Sequence, residues 1–406
     1  MEAVFFEWLN LAIRWVHMIT GIAWIGASFY FVWLENNLNR ANPRDGLSGD
    51  LWAIHGGGIY HLEKYKLAPP KMPDNLHWFK WEAYFTWITG MGLLFVIFYL
   101  NADLYLVKPG GDITPSAGVG IGIASLIAGW FIYHFACDSA LGKQPALLGV
   151  LLFAGLVFAA WALSLVFSGR GAYIHVGAII GTIMVGNVFF VIMPGQRSLV
   201  KAIENNTEPD PHLPAKALLR SRHNNYLTLP VLFIMISNHF PSTYGSEYNW
   251  LILAVLAALS VLVRHYFNTR HGSQKYAWTL PTAALGIMCL AYVSAPKTGA
   301  PVPVAHDHSH GVNVVAAAPK VSFEQVQSII LERCTVCHAA APTHPSFASA
   351  PGGVMLDTPE QMKNDVARIV AQSVTSKIMP LGNLTQMTDE ERGIIGDWAA
   401  AGAPIN

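Results

Sequence analysis

The sequence predicts an all-α protein: a polytopic membrane helix bundle of about eight spans, then a small soluble helical domain at the C-terminus. Three observations predict it. Of 406 residues, 53% are hydrophobic and only 12% are charged, about half the charged share of an ordinary soluble domain. Residues 15–34, 83–100, 117–136, 146–167 and 173–193 contain no Asp, Glu, Lys or Arg, and 224–241, 249–263 and 276–296 are similarly apolar. A spanning helix needs about 20 such residues. Beyond Pro296 the apolar runs stop, and ordinary polarity returns with two helix-start signals.

The expected boundaries are 1–296 for an integral membrane catalytic domain, 297–319 for a flexible linker and 320–406 for the soluble domain. The first span lacks a signal-peptide cleavage pattern and reads as retained. The 249–263 run is short, and reaches span length if Arg264 snorkels at its end. Lys and Arg concentrate in the loops after the first, third, fifth and seventh spans. Only Lys108 and Arg170 fall in the loops after the second, fourth and sixth. The positive-inside rule then places the C-terminus outside the cytoplasm, in the periplasm of a bacterial inner membrane. Net charge is zero and no basic tail occurs, so nothing points to nucleic acid. The loop containing His55, Gly56, Gly57, Gly58 and His61 lacks the Gly-Lys-Ser/Thr of a phosphate loop. It reads as a structured cytoplasmic loop that meets the membrane at Trp78 and Trp81.

In the soluble part, "ERCTVCHAA" at 332–340 carries Cys-x-x-Cys-His. Cys334 and Cys337 at this spacing suit thioether attachment of one haem c, with His338 as an axial iron ligand. Cys137 and Cys289 are isolated and read as small fillers. Ser322 with Gln325, and Thr388 with Glu391, have capping-box spacing. A helix before the attachment motif and a closing C-terminal helix are the layout of class I cytochromes c, which this region resembles. Of Met355, Met362, Met379 and Met387, Met379 in "KIMPLGN" is the expected second ligand, because Pro380 biases it away from helix. His306, His308 and His310 lie in the linker, a Pro/Ala/Val/His-rich tether.

An electron carrier needs only one helix as an anchor, so polar residues inside the other spans are weighed as function. Helix rise places His17, His175 and His239 in the outer half, as candidate ligands of a haem b. His134 and His265 fall near the inner surface, with Glu82 and His223 at similar depth; these four are candidate catalytic bases. Arg222, Asn224, Asn225 and Asn187 are candidate substrate contacts, since amide and guanidinium groups suit a flat, anionic, heteroatom-rich molecule. Pro230 is expected to break the sixth span.

The first span, "RWVHMITGIAWIGASFYFVWLE", resembles the first helix of oxygen-independent protoporphyrinogen oxidases, whose His is associated with haem b, and of copper-resistance membrane proteins. With "HVGAIIGTIMVGNVFFVIMPGQR", "SRHNNYLTLPVLFIMISNHFP" and the Cys-x-x-Cys-His domain, the whole chain resembles the bacterial membrane-bound, cytochrome c-linked urate oxidases. The resemblance implies oxidation of urate and water to 5-hydroxyisourate, with electrons passing through haem to the fused cytochrome c and no hydrogen peroxide formed. Partners would be urate, membrane lipids and a downstream acceptor such as a soluble cytochrome c or a terminal oxidase. The expected order is inner-side substrate, outer-half haem b, periplasmic haem c. Two other classes share features: a porphyrinogen-type membrane dehydrogenase, indifferent to urate, and a non-enzymatic relay subunit whose haem is reduced only by a partner or quinol.

Overall fold

The computed structural model describes residues 2–294 and 321–405, apart from 70, 109 and 211. The expected linker 297–319, with His306, His308 and His310, lies outside these. A long helix α1 (Glu2–Asn37) opens the chain, followed by strands β1 (Leu47–His55) and β2 (Gly58–Tyr65). Then come α2 (Trp81–Leu93), extended by a π-helical turn Leu94–Tyr99, and a second π-helical turn, Ala102–Leu106. Next are α3 (Pro115–Asp138), α4 (Pro145–Val166) and α5 (Gly169–Gly186), which runs on through a π-helical turn Asn187–Ile192 into α6 (Met193–Glu204). The remainder of the bundle is α7 (His212–Ser237), α8 (Pro241–Tyr244), α9 (Asn249–Thr269) and α10 (Thr279–Ser294). The C-terminal unit has α11 (Phe323–Arg333), α12 (Pro359–Asn364), α13 (Val366–Ile369) and α14 (Asp389–Ala400).

Among the described residues, seven helices are long and apolar enough to cross a membrane. The eighth expected span is α7. It is a 26-residue helix, but its first half, "HLPAKALLRSRHNN", is too polar to qualify on composition. It also runs through Pro230 rather than breaking there. Lys216, Arg220 and Arg222 therefore belong to a helix and leave the loop tally that set orientation, without reversing it. α5 is the most enclosed helix, two-thirds of its apolar window being buried, while the window of α1 is not buried at all. Trp8, Trp15, Ile22 and Phe31 of α1 face outward, as apolar side chains do when the surrounding solvent is lipid.

The loop after α1 is not irregular. β1 and β2 pair antiparallel in register from Asp50↔Glu63 to His55↔Gly58. Gly56 and Gly57 make the turn at φ +58° and +80°. Two consecutive left-handed residues are what a type I′ hairpin turn requires, and glycine adopts them without strain. The C-terminal unit has its own core of Val326, Ile330, Leu356, Met362, Ile395 and Trp398, with Phe323 of α11 against Trp398 of α14 at 6.0 Å. Ser322 caps α11 by accepting from Gln325 N. Thr388 and Glu391 form a full capping box on α14, and Thr358 with Gln361 forms another on α12.

Candidate functional site

At the Lys/Arg-rich end of the bundle, α3, the end of α5 and α7 meet over a buried polar network. Asn187, fully buried, donates through Nδ2 to Tyr133 Oη and to Asn224 Oδ1, both at 2.8 Å. Asn224 Nδ2 donates to Met184 O at 2.9 Å. Tyr133 Oη lies 2.8 Å from His223 Nδ1. One helical turn along α7, Arg220 is fully buried and donates to Asp138 Oδ1 at 2.6 Å and to His134 O at 3.1 Å. Lys216 reaches Asp138 Oδ2 at 2.6 Å. His134 Nε2 lies 3.6 Å from the same carboxylate. The network retains open valences: Asn187 Oδ1, His134 Nδ1 and Arg220 Nε and Nη1 are buried without partners.

A second cluster uses the other side of α7. Asn225 Oδ1 accepts from Arg264 Nε at 2.9 Å and Asn268 Nδ2 at 2.7 Å. Tyr226 Oη pairs with His265 Nδ1 at 2.7 Å. His134 and His265 thus serve separate clusters and do not share a site. Glu82, in the first turn of α2, has a buried Oε2 without a partner. Arg222 is exposed and joins neither cluster: the buried guanidiniums are Arg220 and Arg264. Helical spacing could have found this, because residues 220, 223, 224 and 227 share one face of α7 and residue 222 does not.

Of the outer histidines expected to hold a haem b, His175 does not fit an iron. His175 is fully buried, and its Nδ1–H donates to Gly171 O at 2.8 Å. Its Nε2 accepts from Tyr99 Oη–H at 3.1 Å. Gly122 packs so closely that a Cβ there would lie 2.6 Å from Nε2. Both ring nitrogens are occupied, and an iron has no approach. His17 Nδ1 is held by Thr86 O and Thr89 Oγ1, each at 3.0 Å. His239 is exposed in the turn after α7. Among the described residues, His17 keeps an open Nε2 but His175, its expected partner, is closed, so no step is routed through a membrane haem.

The C-terminal residues do fit a covalent haem. His338 Nδ1–H donates to Val354 O at 3.0 Å, which fixes the tautomer and leaves Nε2 as a lone-pair ligand. Cys334 and Cys337 are free thiols one turn apart, with Cys337 N and His338 N both bonded to Cys334 O. Burial first, and Cys337 second, push the Cys334 thiol up to about 12. Among the methionines, Met362 and Met387 are core residues and Met355 is exposed. Met379 is half-buried, with its carbonyl held by Arg392 Nη1 at 2.6 Å and its amide donating to Gln372 O. Arg392 also donates to Asn383 Oδ1, so it staples both sides of the Met379 loop.

This unit sits on the bundle at the end opposite the polar network, the end at which Lys108 and, in the first turn of α5, Arg170 lie. Gly382 lies against the carbonyls of Asp103 and Leu104, and Ile378 against Gly245. Tyr105 lines both clefts along this contact. Ser168 caps α5 by accepting from Gly171 N at 3.0 Å and donates to Tyr105 O at 2.7 Å. Arg170 donates to Tyr244 Oη at 2.9 Å and lies over the Tyr105 and Tyr244 rings at 5.8 and 5.4 Å. The sequence reading used Arg170 only to set orientation and assigned no role to Tyr105, Tyr244 or Asn249. Residues 3–295 match the family model described as urate oxidase N-terminal. No curated protein and no solved structure matches the chain.

Proposed function

The chain belongs to the urate oxidase N-terminal family, and from that premise we propose that it oxidises urate to 5-hydroxyisourate with the C-terminal unit as electron acceptor. The observation that carries the acceptor half is the seating of the Cys-x-x-Cys-His unit against Tyr105 and Gly245 of the bundle. A carrier fused and docked in this way receives electrons from the same chain. The reaction balances as urate plus water giving 5-hydroxyisourate, two protons and two electrons; C5 gains the water-derived hydroxyl. A c-type haem held by Cys334, Cys337, His338 and Met379 would supply one-electron acceptance, its potential raised by the thioether of Met379.

The chain's own residues do the remaining work. Val354 O orients the His338 ring, and Arg392 fixes the Met379 carbonyl. The seven apolar helices suit a bacterial inner membrane, with the C-terminal unit on the periplasmic face, consistent with its contact at the cation-poor end. A soluble cytochrome c or a terminal oxidase would take the electrons onward. The test is an anaerobic absorption spectrum of the detergent-purified full chain before and after urate. Urate-dependent appearance of reduced c-type bands, with no peroxide detected in air, is the expected result. Reduction by dithionite but not by urate would remove the urate reading.

A further inference from the structure

A cavity of about 840 Å³ lies between the bundle and the C-terminal unit, inside the roughly 300–1,000 Å³ range of small-molecule sites. We infer that this cavity binds the urate anion, placing substrate between Arg170 and the loop that carries Met379. The inference rests on the urate reading and names its site.

Arg170 is built into this position by its neighbours. Ser-Gly-Arg-Gly at 168–171 opens α5. A Cβ on Gly169 would lie 1.8 Å from Tyr244 O, and one on Gly171 would lie 2.7 Å from Leu106 O. Both glycines are therefore needed for the two backbone segments to close around the arginine. The guanidinium bonds Tyr244 Oη, while its Nε is buried without a partner. Beside Arg170 on the same wall, where a Cβ on Gly169 would lie 2.9 Å from Asn249 Nδ2, Asn249 is 8% exposed. Its Nδ2 donates to Tyr244 O, and its Oδ1 has no partner. The lining sets the Arg170 guanidinium and Lys108 beside Tyr105, Ser168 and Ser246, cationic and hydroxyl donors that match a planar anion with carbonyl edges.

The facing wall is chemically apt. It comes from Thr375, Ile378, Leu381, Asn383 and Met387, which bracket Met379 in sequence. The cavity is not the haem crevice, because Cys334, Cys337 and His338 do not line it. Its charges favour an anion: Lys377 is paired with Asp389 at 2.7 Å, and Arg392 is committed to carbonyls. Lys108 and Arg170 then stand against Glu247. Position decides against the rival place, the Asn187 network. That network lies toward the other end of α3, whose 24 residues span about 36 Å.

The experiment is equilibrium dialysis of radiolabelled urate against the full-length, detergent-purified chain kept reduced with dithionite, so that no turnover occurs. The wild type should bind saturably. Arg170→Gln should weaken binding roughly tenfold or more, the effect of losing one charge-assisted contact. Arg170→Lys should recover part of it, and Arg222→Gln should bind as wild type. Haem content and thermal melting confirm that each variant is folded. Unchanged binding in a folded Arg170→Gln, or loss of binding in Asn187→Ala or Arg264→Gln instead, would overturn the site. A wild type that neither binds urate nor is reduced by it would remove the urate reading, and the site with it, before any variant is compared.

Discussion

Replacing Asn187 by alanine separates a structural polar network from a substrate site. Asn187 Nδ2 makes two bonds of 2.8 Å, to Tyr133 Oη and Asn224 Oδ1. The substitution removes both, but the two partners differ in what they keep. Tyr133 Oη still has His223 Nδ1 at 2.8 Å. No other donor reaches Asn224 Oδ1 in the network described, so it is stranded in a residue only 8% exposed. An orphaned buried acceptor costs about 1–3 kcal/mol. Helix-to-helix hydrogen bonds in membrane bundles average nearer 0.6 kcal/mol and reach about 1.7. The Asn187 Oδ1 atom, already unpartnered, gives back part of the loss when it is deleted. The net expectation is about 1–2 kcal/mol of destabilisation. It should be read as a lowered midpoint of thermal inactivation in detergent, with urate-dependent haem reduction kept within about twofold at low temperature, because no bond to substrate is lost. Asn224→Ala and the double variant complete a cycle, and the double should lose less than the sum. Abolished urate reduction with an unshifted midpoint would refute this reasoning and return the network to the status of a substrate site.

Other expectations follow from the C-terminal unit and the α5 entry. Changing Cys334 and Cys337 together to alanine should abolish haem that survives a denaturing gel, as read by in-gel haem staining, while membrane insertion is retained. Gly169→Ala drives a methyl into Tyr244 O and should destabilise by about 3 kcal/mol or more, seen as loss of monodisperse protein on size exclusion. Acid should loosen the C-terminal unit in a defined sense. Burial tends to raise the Glu391 carboxyl, but the Arg333 guanidinium and the Thr388 donors outweigh it and leave it below its ordinary value. A depressed carboxylate contributes stability that is fully present above the unfolded value, about 4.3, and is lost as pH falls through the folded one. Haem-band melting should therefore fall more steeply below about pH 4 in wild type than in Glu391→Gln. Equal acid slopes would count against that carboxylate.

The helices were legible because lipid demands uncharged runs of fixed length, and such runs are visible residue by residue. What escaped was structure that departs from the 3.6-residue period. The π-helical turns at Leu94–Tyr99 and Asn187–Ile192 bring in Tyr99 and Asn187, and each widens its helix locally without a compositional mark. α7 shows the opposite failure. Its polar half resembles a loop mouth in composition, yet it is helix because α3, α5 and α9 supply partners for Arg220, Asn224 and Asn225. The β-hairpin was missed although "DLWAIHGGGIYHLE" carries its signal, two glycines between alternating segments. There the apolar side chains alternate without a buried face, and Trp52, Ile54 and Ile59 remain exposed.

The site was harder to read than the fold for a reason visible in Arg170. A charged residue between two spans looks like an orientation signal, and the sequence reading used it as one. Only the three-dimensional approach of Tyr244 O and Leu106 O shows why both its neighbours are glycine. The same approach places the guanidinium beside the C-terminal unit. His175 shows the reverse. His17 and His175 have the depth expected of haem ligands, but depth says nothing about the second ring nitrogen, and Tyr99 with Gly122 occupies that nitrogen in His175. On the proposed reading, substrate held at the contact between Tyr105 and the C-terminal unit has only that contact for its electrons to cross. A bundle that oxidises its substrate at that contact needs no internal carrier, and this gives the fusion of the two units a physical purpose.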